Sequence, residues 1–253
     1  MKIDYISDLH LDFRIPYSED PQILYETTTA FLASMLPEIL GNVLVIAGDL
    51  SHYNQQSVMM LTYFAQHYPH VIWVLGNHDY YVISKQEHLY GQSSQKRVDE
   101  LKHLLKHEQN IHLLERYNTI AIEGKIFAGA TNWYALEDYA EIQFFKSRMN
   151  DSELIQDFDI RLEHLAEKKG FGQMKHIDVC ITHVPPIFIK SHNFYGRAYC
   201  YVHPINLQAN YYIFGHCHEQ SVYERADWKF YINAVGYPTE HLPAKIRSFT
   251  IDV

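Results

Sequence analysis

Cysteine is scarce in this sequence of 253 residues. Cys180, Cys200 and Cys217 are its three cysteines, an odd number, and they form no Cys-x-x-Cys pair. This usage excludes a disulfide-stapled secreted scaffold and a zinc knot built on thiolates. It is typical of proteins kept in a reducing compartment, so we expect a cytoplasmic location.

Long apolar runs are absent as well. The first residues, Met-Lys-Ile-Asp, bring a charge within four positions, and no apolar segment of a secretory leader follows. The longest stretch without Asp, Glu, Lys or Arg covers residues 198–218 and contains His, Asn, Gln and Pro throughout. We therefore expect neither a leader nor a membrane span, and no membrane partner.

Basic residues are outnumbered by acidic ones. Lys and Arg number 21 against 30 Asp and Glu, which gives a net charge of −9 with histidine neutral. Proteins that coat nucleic acid without sequence preference are normally basic, so the balance disfavours a nucleic-acid partner. An apolar content of 47% against 20% charged residues excludes a disordered chain. Histidine, in contrast, is abundant, with 17 residues.

The order of apolar patterns predicts an α/β fold. No repeat, low-complexity tract or Gly/Ser linker divides the chain, so we expect a single domain over residues 1–253. Short runs at 2–6, 43–47 and 71–75 show little alternation, as in strands buried on both faces. Helical patterns at 22–39 and 55–66 separate these runs, which is the order of a βαβ sheet.

The second half of the sequence is richer in strands. Helices are predicted at 96–107 and at 151–168, the latter opened by the cap-like Asn150-Asp151-Ser152. So many strands favour a four-layer α/β/β/α sandwich of two packed mixed sheets flanked by helices. The strands are predicted at 119–123 and 125–130, as a hairpin around Gly124, and at 177–182, 211–214, 221–223, 230–233 and 246–251.

Five apolar runs end in potential metal ligands. Because ligands bind outside the carboxyl ends of strands in α/β sheets, we expect these clusters to meet at one edge. Carboxylates, an amide oxygen and imidazoles suit divalent Mn, Fe or Zn. The clusters are Ile6-Ser7-Asp8-Leu9-His10, Val45-Ile46-Ala47-Gly48-Asp49, Val74-Leu75-Gly76-Asn77-His78-Asp79, Cys180-Ile181-Thr182-His183 and Phe214-Gly215-His216-Cys217-His218.

The order of these clusters resembles the motif pattern of the calcineurin-like metallophosphoesterases, which runs D-x-H, GD, GNH[DE], H and GHxH. The resemblance spans residues 3–218, and residues 233–238 look like a tail segment of one bacterial and phage-like branch. Ser/Thr protein phosphatases read GDxxDRG and RGNHE instead. Here the Asp-Arg-Gly is absent and Leu75 replaces the arginine, which disfavours that branch.

The resemblance implies a role for each motif residue. His78 would be the catalytic imidazole and Asp79 would orient it. Two divalent ions, Mn²⁺, Fe²⁺ or Zn²⁺, would lie at the strand ends, with Asp49 bridging them. One ion would be held by Asp8, His10, Asp49 and His218, and the other by Asp49, Asn77, His183 and His216.

The implied activity is the hydrolysis of a phosphomonoester or phosphodiester in a small phosphorylated substrate. A hydroxide bridging the metals would attack phosphorus in line, with His78 as catalytic acid. A nuclease or a nucleotide phosphodiesterase remains as an alternative, although nucleases of this superfamily usually carry an additional DNA-binding region. A non-catalytic metal-binding scaffold is the third alternative. The sequence predicts no particular oligomeric state.

Three further residues are candidates for substrate binding. His52 follows the Gly-Asp turn, and Trp133 ends another β-like run. Arg197 lies between the His183 and His216 motifs and would clamp a phosphate oxygen through its planar guanidinium.

Overall fold

A computed structural model describes residues 1–188 and 209–252 of the chain. The strands in these ranges are β1 (Lys2–Ile6), β2 (Val43–Ala47), β3 (His70–Val74), β4 (Ile111–Leu113), β5 (Asn118–Ile122), β6 (Lys125–Ala130), β7 (Val179–Thr182), β8 (Tyr211–Phe214), β9 (Gln220–Arg225), β10 (Trp228–Asn233) and β11 (Arg247–Thr250). The helices are α1 (Leu11–Arg14), α2 (Pro21–Met35), α3 (Asn54–Ala65), α4 (Glu87–Tyr90), α5 (Ser94–Leu105), α6 (Tyr139–Arg148), α7 (Asp151–Leu154) and α8 (Ile160–Gln173).

The strands form two mixed sheets. The first has the order β11-β1-β2-β3-β4, in which β1 to β4 run parallel and β11 is antiparallel to β1. The second has the order β5-β6-β7-β8-β10-β9, with four parallel inner strands and antiparallel outer strands. Parallel neighbours need crossover connections, and α2, α3, α5 and α8 lie in four of them.

Apolar cores separate four layers. In β2, Val45 packs between the two sheets with Phe127 of β6, whereas Ile46 packs on the other face beneath α2, α3 and α5. On the far side of the second sheet, Tyr212 of β8 packs with Phe171 of α8. Burial on both faces explains why the strand sequences show little alternation. The predicted four-layer sandwich is confirmed.

The two sheets meet at one edge. The carboxyl ends of the parallel strands β1, β2 and β3 lie side by side there. Ser7, after β1, pairs with Ala234, after β10, and the Ser7 amide donates to the Asn233 carbonyl at 3.0 Å. Residues that follow strands of both sheets therefore face one another across this edge.

Several predicted element bounds differ from the observed ones. Helix α2 ends at Met35 rather than residue 39, because Leu36 is extended before Pro37. The predicted helix 151–168 is two helices, since Asp159 caps α8 by accepting from the amides of Arg161 and Leu162. Helix α6 and strand β4 were not predicted.

Among the helices in residues 1–188 and 209–252, none has both the length and the apolar character of a bilayer-crossing segment. The single domain over residues 1–253 stays a prediction.

Candidate metal centre

The predicted ligands project from the shared edge of the two sheets. Asp8 and His10 follow β1, Asp49 follows β2 and Asn77 follows β3. From the second sheet, His183 follows β7, and His216 and His218 follow β8. Because the strands end at the same edge, residues 208 positions apart in sequence come into contact.

Sharp backbone turns point these side chains inward. Asp8, Asp49 and His216 adopt left-handed backbone conformations, with φ of 52°, 58° and 68°. Such conformations cost non-glycine residues roughly 1–3 kcal/mol each, so they mark a functional edge. Gly215 allows the close approach that the turns need, because an added Cβ would lie 2.7 Å from Asp8 Oδ2.

One ligand group gathers Asp8, His10, Asp49 and His218. His10 Nε2 lies 3.1 Å from His218 Nε2 and 3.6 Å from Asp49 Oδ2. His218 Nε2 lies 3.6 Å from Asp8 Oδ1. On its other side, His218 Nδ1 donates to Glu240 Oε2 at 2.8 Å, so its Nε2 presents a lone pair to the group.

A second group gathers Asp49, Asn77, His183 and His216. Asn77 Oδ1 lies 2.9 Å from His183 Nε2 and 3.2 Å from His216 Nδ1. His183 Nε2 is also 3.3 Å from Asp49 Oδ2. Because His183 Nδ1 donates to the Ala47 carbonyl at 2.8 Å, Nε2 is the ring nitrogen that faces the oxygens of Asn77 and Asp49.

This donor set fits divalent cations. Lone pairs on imidazole nitrogens converge with carboxylate and amide oxygens, and a positive charge must lie among them to offset their repulsion. Several sets of three such atoms lie within 4.8 Å of one another. The oxygen and nitrogen donors, without thiolate, suit manganese, iron(II) or zinc.

Burial and the neighbouring carboxylates shift the pKa values of two histidines of the site in opposite directions. Burial lowers the pKa of His10 to about 3, against the influence of Asp49. Burial acts in the same direction on His183, but the adjacent Asp49 carboxylate outweighs it and raises the pKa to about 9. The Asp8 and Asp49 carboxylates, both fully buried, thus draw positive charge to the centre.

A buried carboxylate fixes the amide of Asn77. Asp151 Oδ1 accepts from Asn77 Nδ2 at 2.8 Å, which turns Asn77 Oδ1 toward His183. Tyr134 donates to the other oxygen of Asp151 at 2.8 Å, and Tyr81 also donates to Asp151. A helix does begin at Asp151, as predicted, but the Asn150 side chain makes no cap hydrogen bond and the Asp151 side chain supports a predicted ligand instead.

His78 stands beside the two groups on a single 3-10 turn, His78–Tyr80. Its backbone amide donates to Asp49 Oδ1 at 2.9 Å. The ring Nδ1 contacts His52 Nε2 at 2.9 Å, and the ring Nε2 contacts the Tyr237 hydroxyl at 3.3 Å. Burial lowers the pKa of His78 well below its ordinary value, against the opposing influence of Asp49.

Asp79 does not orient the His78 ring as predicted. Its carboxylate instead accepts from three backbone amides, those of Asp49 at 3.0 Å, Leu50 at 3.1 Å and Gly76 at 2.8 Å. These bonds hold the turn after β2 against the turn after β3. Asp79 therefore shapes the backbone under the centre, because both of its oxygens are already taken by amides.

The structure places two of the three substrate-binding candidates, His52 and Trp133. Both ring nitrogens of His52 have protein partners, so the ring offers none to a substrate. Trp133 is fully buried and packs against Tyr80, with ring centroids 5.1 Å apart. Arg197 lies outside the described residues.

A cavity of about 410 Å³ opens onto the centre. Some of the residues that line it were not predicted from the sequence. Arg148, at the end of the unpredicted helix α6, lines it together with Phe144 and Tyr237. Tyr237 also stacks on His10, with centroids 4.7 Å apart. Tyr237 lies in the tail segment 233–238, which the family resemblance had already singled out. No sequence pattern links Arg148 to the strand ends.

The sequence profile of the calcineurin-like phosphoesterase family matches residues 1–220. The chain belongs to the calcineurin-like phosphoesterases, which confirms the resemblance seen in its motifs. Membership and the histidine–aspartate groups together identify, in general terms, a metal-dependent phosphoester hydrolase.

Solved structures are similar to the chain to different degrees. Phosphopantetheinyl hydrolase from Mycobacterium tuberculosis is similar with a TM-score of 0.70 at 17% identity, over 99% of this chain and 96% of that one. An archaeal phosphodiesterase matches with a TM-score of 0.37 at 12% identity, over 99% and 100% of the two chains. No curated protein matches the chain.

Proposed function

We propose that the chain hydrolyses a small phosphorylated substrate, a phosphomonoester or a phosphodiester, at a centre of two divalent ions. The position of Asp49 carries this proposal. Its Oδ2 lies 3.6 Å from His10 Nε2 in one ligand group and 3.3 Å from His183 Nε2 in the other. A carboxylate oxygen common to two such groups supports a shared ligand between two neighbouring ions.

Each group supplies donors for one ion. When bound, Mn²⁺, Fe²⁺ or Zn²⁺ would withdraw charge from phosphate oxygens and lower the pKa of water. Glu240 and Asp151 keep the ligand side chains oriented before substrate arrives. One ion would be held by Asp8, His10, Asp49 and His218, and the other by Asp49, Asn77, His183 and His216.

His78 is the proposed proton donor. It lines the cavity, and its Nδ1 is engaged by His52, so Nε2 is the nitrogen available to a substrate. A proton delivered from Nε2 to the leaving oxygen would neutralise the charge that appears as the P–O bond breaks. The amide of His78 is bonded to Asp49, which holds the donor at a fixed place beside the ligand groups.

The cavity favours a compact substrate. Of the described residues that line it, Arg148 is the only lysine or arginine, and we propose that it contacts the phosphate or a second anionic group. Phe144 and Tyr237 offer ring surfaces to the remainder of the substrate. A net charge of −9 disfavours a long nucleic acid on the surface. The free, buried Cys180 and Cys217 accord with the proposed cytoplasmic location.

The proposal is tested with metal-depleted protein and a pair of aryl esters, 4-nitrophenyl phosphate and bis(4-nitrophenyl) phosphate. We expect no turnover after depletion and recovery of turnover on addition of Mn²⁺, because the phosphate site requires the cations. His78→Ala should retain metal and lose turnover, whereas His103→Ala, an exposed histidine on α5, should retain both.

The outcomes separate the alternatives. Preference for the diester would assign a phosphodiesterase or nuclease, and salt-sensitive DNA binding would then favour the nuclease. Turnover that persists after verified metal removal would contradict the proposal. If metal-loaded protein turned over neither ester, the result would favour a metal-binding scaffold.

A further inference from the structure

A second cavity, of about 870 Å³, opens among helices α1, α3, α4 and α5. We call it the helical cavity, and its walls include Tyr17, Tyr53, Asn54, Gln86 and Glu100. Among the described residues, none lines both this cavity and the one at the metal centre. Its volume is in the range of sites for small molecules, so its walls show which ligand would fit.

Two buried amide side chains in these walls each have an oxygen without a partner. Asn54 and Gln86 are only 4% and 3% exposed. Within the described part of the chain, Asn54 Oδ1 and Gln86 Oε1 accept no hydrogen bond. Since buried polar atoms are nearly always paired, two such acceptors beside one cavity favour a ligand that donates hydrogen bonds.

The orientation of both amides is fixed by their neighbours. Asn54 Nδ2 donates to the Arg97 carbonyl at 2.8 Å and to Glu100 Oε2 at 2.7 Å. Gln86 Nε2 donates to the His52 carbonyl at 2.6 Å. Because all three partners can only accept, neither amide can be turned over to present its nitrogen instead of its oxygen.

The charge of the walls favours a cation. Lys85 is the only lysine or arginine among the described residues that line the helical cavity, against the three carboxylates of Asp12, Glu19 and Glu100. The buried Tyr90 hydroxyl donates to Glu100 Oε2 at 2.6 Å, which holds this carboxylate at the wall. An excess of negative charge in a cavity attracts cations and repels anions.

Part of the walls is aromatic and apolar. Tyr17 and Tyr53 both line the cavity and stack on each other, with centroids 4.3 Å apart and planes 15° apart. The Tyr17 hydroxyl donates to Gln55 Oε1 at 2.7 Å, which fixes the pair. Tyrosine rings attract cations over their faces, and the exposed Leu89 adds apolar surface.

We propose that the helical cavity binds a small organic cation, an ammonium or guanidinium group carried on an apolar body. Its N–H groups would donate to the oxygens of Asn54, Gln86 and Glu100, and its apolar body would pack against Tyr17 and Tyr53. The aromatic part of the walls favours an organic cation over a metal ion. This site does not depend on the proposed hydrolysis, because the two cavities have different walls.

A titration with three probes of one shape tests the proposal. Benzylamine is a cation at neutral pH, benzyl alcohol is neutral and benzoate is an anion. In zinc-loaded, ¹⁵N-labelled protein, we expect benzylamine alone to give saturable NMR shifts of the side-chain amides of Asn54 and Gln86. The side-chain amide of Asn110, which donates to the Ala65 carbonyl at the other end of α3, is the control and should not shift. Absence of saturable shifts, or equal affinity for benzyl alcohol, would overturn the proposal.

Two variants identify the walls that bind the cation. Glu100→Gln keeps an acceptor for Tyr90 but removes a charge, and should lower the affinity for benzylamine at least about 3-fold. Tyr17→Leu keeps apolar bulk but removes a ring, and should lower it at least about 2-fold. Glu108→Gln and Tyr139→Leu, at exposed positions outside the cavity, should retain wild-type affinity. Unchanged affinity in either cavity variant, with the melting temperature of wild type, would overturn the proposal.

A competition experiment separates the two cavities. Inorganic phosphate, a probe for the metal centre, should leave the affinity for benzylamine unchanged. Displacement of benzylamine by phosphate would place the cation at the metal centre and overturn the proposal. Failure of the protein to turn over any phosphate ester would contradict the proposed function, while the titration still decided whether the helical cavity binds cations.

Discussion

At the scale of single residues, the chain buries carboxyl groups that accept hydrogen bonds from backbone amides. Near the metal centre, Asp79 is compensated by three backbone amides. Farther away, Glu167 of α8 is almost fully buried and accepts from the Trp133 amide at 2.6 Å. Burial raises the pKa of Glu167 from 4.5 to about 8, although the Trp133 amide acts to lower it. This raised pKa predicts that Glu167 is protonated in the folded protein at neutral pH.

This shift predicts a pH-dependent stability. Between pH 4.5 and 8 the folded state holds a proton on Glu167 that the unfolded state has released, so stability falls as pH rises through this window. The free energy of unfolding changes by at most about 1.4 kcal/mol for each pH unit in this window. Glu167→Gln imitates the protonated carboxyl and removes this dependence.

Thermal unfolding at pH 5 and pH 8 measures the effect. The melting temperature of Glu167→Gln, relative to wild type, should be higher at pH 8 than at pH 5. The exposed Glu108→Gln is the matched control and should show no such trend. An equal difference at both pH values would contradict the predicted protonation of Glu167.

At the scale of elements, the short helix α7 supports the metal centre from the side. Its first residue, Asp151, accepts from Asn77, Tyr81 and Tyr134, which join turns after β3 and β6. The amide of Asn77 is thereby oriented with its oxygen toward His183. An element of four residues thus fixes a ligand that belongs to a distant strand.

Asp151→Asn should weaken metal binding more than it weakens the fold. The substituted amide has one acceptor oxygen instead of two, so it cannot serve both Asn77 and the tyrosines as the carboxylate does. We expect affinity for one of the two ions to fall about 10- to 100-fold, measured by titration against a competing chelator. Ser152→Ala, at the next position of α7, is the control. Unchanged affinity for both ions would show that Asn77 needs no such support.

Helix bounds were harder to predict than strand ends, for a physical reason. Strands β1 and β2 were predicted with their observed bounds because their apolar residues stand on both faces and are buried there. Helix α6 packs only part of its surface, and its apolar residues have weak helical periodicity. The local signal for its start is the capping box of Asp138 with Glu141.

At the scale of the whole molecule, the motifs sufficed to predict the four-layer fold and the set of strand ends that meet. They did not reveal which other side chains hydrogen-bond to the motif residues and hold them in place. His52 and Asp151 contact His78 and Asn77 through hydrogen bonds that depend on the tertiary fold, and no local pattern marks such contacts. Asp79 was misassigned for the same reason, since sequence adjacency to His78 did not bring its carboxylate to the ring.

The high histidine content and the acidic net charge can both be related to the candidate metal centre. Of the 17 histidines, six lie at one edge of the sheets. Five were predicted as metal ligands or as the catalytic imidazole, and the sixth is His52, which contacts His78. The net charge of −9 describes the whole surface, whereas the centre gathers lone pairs suited to cations. An acidic protein can therefore bind a phosphate where metal ions reverse the local charge.

The number of divalent ions bound per chain tests the central claim most directly, measured by metal analysis of dialysed wild-type protein and Asp49→Asn. Because Asp49 Oδ2 belongs to both ligand groups, the account predicts two ions in wild type, and at most one, with turnover lost, in Asp49→Asn. Asp99→Asn, an exposed aspartate on α5, should keep two ions and full turnover. A folded Asp49→Asn protein that kept two ions and full turnover would contradict the account.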